Sequence, residues 1–477
     1  MATVSPHPHT SFKDAFHPAQ QFQLPSRIPQ ELVDSIISYF HNNPDGLRNL
    51  AVVSRSWLVS ARHHIFCSTN INPAHVDSLF KMSDAVRPFV ERLKVEQPAG
   101  ALDRPEAHGA LSVGRLVEAV ALFPRLKSLL LATAELSSAA LVPAAVPASL
   151  PTKLELLEIS SFRIAGDSFT PVIQLIGLFD TITTLRLAGI HHGDDSSTSG
   201  DAHPSGVNGS SSRRKTAVKS LCFKKNTTDT AKFVEDLLAV VNLEQLERLE
   251  IGSAKPLWPQ YSRIVNAAAP SVKELVVLLH DDDMSEARAR KPPVDDEVED
   301  GGEGAEPEVP SEAADDAAEA DEPIDLSQCD SLEHIVLSYI SFQDPTIANI
   351  FDTFRMLATL PHTTNVNKVT FRQSYLIQDE TSFYESFKGA MSQWHAVGET
   401  LRRLDALQNR GGKIVFSFEQ FLGAGFSFPP AEALIKEAVG AQENEGCRVD
   451  IVYHFLSMSE LMKVLSQQVA LRPTTFI

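Results

Sequence analysis

The chain has 477 residues, 43% of them hydrophobic, and a formal net charge of −19. The length allows a sizeable core, and the charge is local: residues 281–323 hold 18 Asp and Glu against 3 Lys and Arg, leaving −4 for the rest and no basic stripe for nucleic acid. Cys67, Cys222, Cys329 and Cys447 stand far apart with no CxxC pair, so neither a disulfide framework nor a zinc site is suggested. No stretch offers about eighteen consecutive apolar residues, and the first residues show no basic start followed by an apolar run. A soluble, intracellular protein of the cytoplasm or nucleus, with no membrane partner, is expected.

In chain order, residues 1–23 read as a disordered tail and 24–72 as a helical module. Ile28 and Pro29 open a helix, Glu31 suits its positive end, and Leu32, Ile36, Ile37 and Phe40 recur at helical spacing. The run Asn42, Asn43, Pro44, Asp45, Gly46 is expected to end it. A second apolar set follows at Leu47, Leu50, Val52, Val53, Trp57 and Leu58, before Arg62, His63, His64 and Phe66. Two or three short helices result, too small to be self-sufficient, which points to a docking device. An ordinary amphipathic hairpin capping the next domain is the plainer alternative.

These residues resemble an F-box, whose pattern is a Leu-Pro or Ile-Pro opening, a Glu-Leu step, an Ile-Leu pair and a Trp after a second hydrophobic run. Ile28, Pro29, Glu31, Leu32, Ile36, Ile37, Leu47, Leu50, Val52, Val53 and Trp57 stand at those places. Ser54 departs from it, since the family commonly has Cys there, as does the long polar segment His41 to Gly46. The resemblance implies docking on a Skp-type adaptor, and through it a cullin, by Ile28, Pro29, Leu32, Ile36, Ile37, Leu47, Leu50, Val53 and Trp57.

From residue 73 onward the chain repeats apolar, two residues, apolar, one residue, apolar. The units are Val90, Leu93, Val95; Leu126, Leu129, Leu131; Leu154, Leu157, Ile159; Ile182, Leu185, Leu187; Val218, Leu221, Phe223; Leu246, Leu249, Ile251; Val272, Leu275, Val277; Leu332, Ile335, Leu337; and Val366, Val369, Phe371. Their starts lie 26 to 36 residues apart except for one step of 60. Helical runs are expected at Arg115 to Phe123, Pro171 to Phe179, Ala231 to Val241, Tyr261 to Ala269 and Ile347 to Leu360. Two segments interrupt the repeat and read as disordered: 191–213, rich in Gly, Ser and Asp, and the acidic 281–323, which lacks the apolar surface to offset its ordering entropy. Arg213, Arg214 and Lys215 form at best a weak nuclear-import signal.

Period and core pattern resemble leucine-rich repeats of the long, helix-containing type. The fold expected is therefore α/β: a short three-helix F-box at 24–72, followed over 73–477 by an irregular leucine-rich-repeat-like solenoid with strands on one side and helices on the other. The family's Asn or Cys beyond the third apolar position is met only by Asn226 after Phe223; the other units have Ala134, Phe162, Ile190, Ala254, His280, Ile340 and Ser374 there. Turns must then be closed in another way. Beyond Phe371, a helical region Phe383 to Leu407, strand-like Ile414 to Phe418 and Val449 to Tyr453, and a final helix near Glu460 to Leu465 are expected to cap the stack.

No GxxxxGK[ST], GxSxG or HExxH is present, so the chain reads as a non-enzyme without cofactor or metal. The resemblances imply a substrate-recognition subunit of an SCF-type (Skp, cullin, F-box) ubiquitin ligase, the repeats binding an unknown protein. Arg186, and the apolar Val276, Leu278 and Val336, are the candidate substrate residues on the strands. The alternative is an acidic leucine-rich-repeat scaffold or histone-chaperone-like binder of basic proteins that uses 281–323.

Overall fold

The structure, a computed structural model, describes residues 28–40, 43–97, 111–132, 135–137, 150–164, 169–192, 215–224, 230–253, 258–280, 323–341, 347–375, 388–389, 391–409, 411–420, 433–437 and 448–455. The expected tail 1–23, nearly all of both insertions, Asn226 and the helix near Glu460 lie outside them. Two compact units divide the chain, Met1–Ser68 and Thr69–Ile477.

Among its described residues the first unit holds three helices, α1 (Gln30–Tyr39), α2 (Pro44–Ala51) and α3 (Arg55–Phe66). Pro44 and Gly46 do not merely end α1. Proline fits the first helical turn, where its missing N–H costs nothing, and the Asn43 side chain accepts from Gly46 N at 2.9 Å to cap α2. Ser54 likewise caps α3 through Trp57 N. Val33, Ile37, Leu47 and Ala61 form a small core, with Phe40, Leu50, Ala51, Trp57 and Ile65 packed against it. Gln30 Nε2 donates to Asp34 at 2.8 Å and to Ser60 at 2.9 Å, and Ser60 donates to Asp34, tying α1 to α3.

The helical module ends earlier than residue 72, because Ser68–Ile71 is already strand β1. Strands β2 (Arg92–Glu96), β3 (Leu111–Ser112), β4 (Ser128–Ala132), β5 (Glu135–Ser137), β6 (Lys153–Ile164), β7 (Thr181–His192) and β8 (Thr216–Lys224) follow. After them come β9 (Val241–Asn242), β10 (Arg248–Ser253), β11 (Glu274–His280), β12 (His334–Ser341), β13 (Lys368–Tyr375), β14 (Lys413–Gln420) and β15 (Arg448–Phe455). They make one 15-stranded sheet whose main path runs in chain order, with β3, β5 and β9 as short side pairings. Between them lie helices α4 (Val113–Val120), α5 (Thr170–Ile176), α6 (Thr230–Val240), α7 (Trp258–Ala268), α8 (Ile347–Ala358), α9 (Met391–Arg402) and α10 (Asp405–Asn409). The first five match the expected helical runs to within a few residues.

Parallel register turns the repeat into two apolar rows. Leu93, Leu129, Leu157, Leu185, Leu221, Leu249, Leu275, Ile335 and Val369 pair side by side, as do Val95, Leu131, Ile159, Leu187, Phe223, Ile251, Val277, Leu337 and Phe371. Both rows join the helix side chains in one continuous core. Alternate residues project from the other face, as the two-residue period of a strand requires.

The ladder does not stop at Phe371. Ile414 and Phe416, then Val449 and Ile451, continue both rows on β14 and β15. The two C-terminal strands expected there therefore extend the ladder in register, where a cap of different structure was expected. Both units had escaped the pattern because glycine, Gly411 and Gly446, stands where the others carry their first apolar residue. Gly411 has φ +69°, and a Cβ on the next residue, Gly412, would lie 2.3 Å from Leu407 Cα.

The strands also answer how turns close without an Asn. Strands β6 and β7 run on for 12 residues each, so Phe162 pairs with Ile190 and Ile164 with His192, and backbone groups are met by ladder bonds. His191 and His192, expected in the insertion, are thus strand residues. Ser161 (φ 51°) and Gly189 (φ 59°) fall at the same step of the two strands, between the pairs Ser160–Ala188 and Phe162–Ile190. At the opposite, incoming ends, side chains staple neighbouring units. The buried Thr216 hydroxyl meets Ile176 O at 3.1 Å and Phe179 O at 2.8 Å; Ser271 donates to Leu243 O, Ser331 to Pro270 O and Asn365 to Asp330 O.

Candidate functional site

Helix α1 is apolar on two sides. Val33 and Ile37 point into the small core, whereas Leu32 (56% exposed), Ile36 (41%) and Tyr39 (90%) face solvent together with Ile28. The α2–α3 turn adds Val52 (84%) and Val53 (60%), and α3 adds Val59. Seven of the eight large apolar side chains exposed among the described residues belong to this unit; the other is Val452. A helix in water shows one apolar stripe, and a second stripe is stable only where something covers it.

The sequence candidates divide accordingly. Ile28, Pro29, Leu32, Ile36 and Val53 are exposed, but Ile37 and Leu47 are fully buried and Leu50 and Trp57 half-buried against them. Those four hold the helices together and are not surface anchors. Tyr39 and Val59 are not among the sequence candidates, and Val52 stands there at an F-box place without being named for docking; the i, i+4, i+7 step Leu32, Ile36, Tyr39 is the signal that separates the outer stripe from Val33, Ile37.

Across the sheet, the face away from the helices carries a central row: Lys94, Leu130, Glu158, Arg186, Cys222, Glu250, Val276, Val336, Thr370, Val415 and Asp450. Arg186 is exposed and pairs with Glu158 at 3.4 Å. Lys224 and Arg248 reach Glu250 at 3.0 and 3.5 Å, and Arg248 reaches Glu274 at 2.7 Å. Glu250 is accordingly held below the usual carboxylate range: burial alone would raise it, and Lys224 and Arg248 overcome that.

Val276, Leu278 and Val336 do come together, as a cluster separate from the main core, but they are buried, at 3 to 9% exposure. They are packing residues of this face and not open contact points. The Cys222 thiol is pushed up to about 12, first by burial and then by Glu250, so it stays protonated at neutral pH and is no nucleophile. Among the described residues no group of three or more His, Cys, Asp or Glu could hold a metal ion, and no helix is long and apolar enough to cross a membrane. No family model matches the chain, and no curated protein does.

Proposed function

We propose that the chain is a substrate-recognition subunit of an SCF-type ubiquitin ligase, an F-box protein whose helical unit docks a Skp-type adaptor and whose irregular leucine-rich-repeat-like sheet unit binds a protein substrate. The observation that carries this reading is the second apolar stripe of α1, Leu32, Ile36 and Tyr39, together with the exposed Ile28, Val52 and Val53 of the same unit. Exposed aliphatic and aromatic side chains concentrated on one small unit are what a partner helix covers, and a few such anchors dominate the affinity. Ser54, off the family pattern, keeps a local role as the α3 cap and leaves this surface intact.

Calorimetric titration of the full chain with purified Skp-type adaptor tests the reading. Pro29→Ala with Leu32→Ala is expected to weaken binding about thirtyfold or more, equivalent to about 2 kcal/mol, with the circular dichroism unchanged. Absence of wild-type binding at tens of micromolar, roughly −6 kcal/mol, overturns the receptor reading.

A further inference from the structure

Along the incoming ends of the strands, the outward row Ser220, Arg248, Glu274, His334, Lys368, Lys413, Arg448 changes character at Glu274. Up to that point the row holds the neutral Ser220 and then Arg248, which is paired with Glu274 at 2.7 Å. Beyond it four basic side chains stand on four consecutive strands, His334, Lys368, Lys413 and Arg448. Lys368, Lys413 and Arg448 are like charges on adjacent strands and repel, whereas burial and Lys368 disfavour the charged form of His334, whose Nε2 meets Thr370 Oγ1 at 3.0 Å; the described carboxylates beside the row are Glu274, shared with Arg248 and 3.4 Å from His334 Nδ1, and Asp450, which serves both Lys413 and Arg448. Next to this row the same strands carry short side chains, Val336, Thr370 and Val415, so the longer cations stand above their neighbours. Lys413 and Arg448 keep 42% and 76% of their side-chain surface exposed.

We infer that His334, Lys368, Lys413 and Arg448 form a docking ledge for an acidic, extended polypeptide segment of the protein that the sheet unit captures. The inference rests on the receptor reading above and names the chemistry of its substrate. Three steps between parallel strands of about 4.8 Å span about 14 Å, the length of about four residues of extended chain. A segment with two or three carboxylates in that length matches the row, and charge of opposite sign both steers it and offsets the repulsion.

Fluorescence anisotropy of the full chain with a labelled oligoglutamate of about ten residues, enough to cover the ~14 Å row, is the test. Binding that weakens with added salt is expected, and Lys368→Glu with Lys413→Glu should weaken it about tenfold or more. Arg263→Glu, on helix α7, should leave it unchanged, as should Pro29→Ala with Leu32→Ala, so failure here is distinct from failure of adaptor docking. Lys368→Ala with Lys413→Ala, checked by circular dichroism, serves if the charge reversals fail to fold. The ledge assignment is overturned by no binding, by equal binding of the double variant, or by tighter binding of single-stranded DNA of equal charge. Binding that emerges only when residues 281–322 are replaced by a Gly/Ser linker overturns it too, giving the row to the chain's own acidic segment.

Discussion

The helical unit and the sheet unit use apolar residues in opposite ways. In the sheet unit, both apolar rows and the helices above them vanish into one core that runs from Ile71 to Ile435. In the helical unit four residues are buried while seven large apolar side chains face water. At about 1.5 to 3 kcal/mol for each large side chain fully buried, the first arrangement is self-supporting and the second is marginal. The contrast teaches that hydrophobic pattern alone does not separate core from docking surface; the position of each residue around the helix does.

The largest effect should come from the sheet core. Phe371, fully buried, stacks on Phe416 at 4.9 Å and meets Trp394 edge-on at 5.4 Å, so Phe371→Ala is expected to cost about 3 to 5 kcal/mol in urea unfolding. A loss below about 1 kcal/mol would break the picture of a continuous core. Thr216→Val comes next. It keeps the shape and removes the hydroxyl proton shared by Phe179 O and Ile176 O, of which Ile176 O still accepts from Phe179 N, for about 1 to 3 kcal/mol, whereas Thr216→Ser should recover most of that loss.

A smaller, pH-dependent effect belongs to His334. Burial first, then Lys368 on β13, hold it below its ordinary value of 6.5; Arg248 and Arg372 act in the same direction, and Glu274 opposes them. The unfolded chain therefore takes up the proton first, and the stability that neutral His334 confers is present above pH 6.5 and lost as pH falls through and below it. His334→Gln should flatten that part of the stability profile; an unchanged slope would remove His334 as its source.

The smallest effect sharpens the comparison from the other side. Leu32→Ala should change stability by less than about 0.5 kcal/mol, as substitutions away from packed features do. A large loss would mean that Leu32 belongs to the module's own core.

Much of this was readable from spacing. The second and third apolar residues of the nine repeat units fall into adjacent strands in the register that their pattern implied, because a sheet buried on one side enforces the phase of its apolar residues. Strands β14 and β15 were legible as strands but not as repeats, since Gly411 and Gly446 remove the leading apolar residue that defines the motif. The turn solution was sought after each strand, at the Asn position. It lies instead in longer strands and in Thr216, Ser271, Ser331 and Asn365, ordinary polar residues whose role depends on the carbonyl that the preceding unit brings within reach. On α1, Ile36 and Ile37 are neighbours in sequence and both apolar, yet a turn of about 100° per residue sends one to solvent and the other inward.

Strand order that follows chain order has a consequence for how the molecule assembles. Along the main path each strand pairs with the next one on that path, so pairing can proceed step by step like a zipper. Most steps close about 30 residues, but Leu275 meets Ile335 across 60. Because closure entropy grows only with the logarithm of length, that step costs less than about 1 kcal/mol more than its neighbours. It is nonetheless the longest closure among the nine repeat units, which makes the β11–β12 seam the natural place to divide the sheet in two. A chain nicked within 281–322 would keep a complete run of strands on each side, and the two fragments should recognise one another through the facing edges of Glu274–His280 and His334–Ser341.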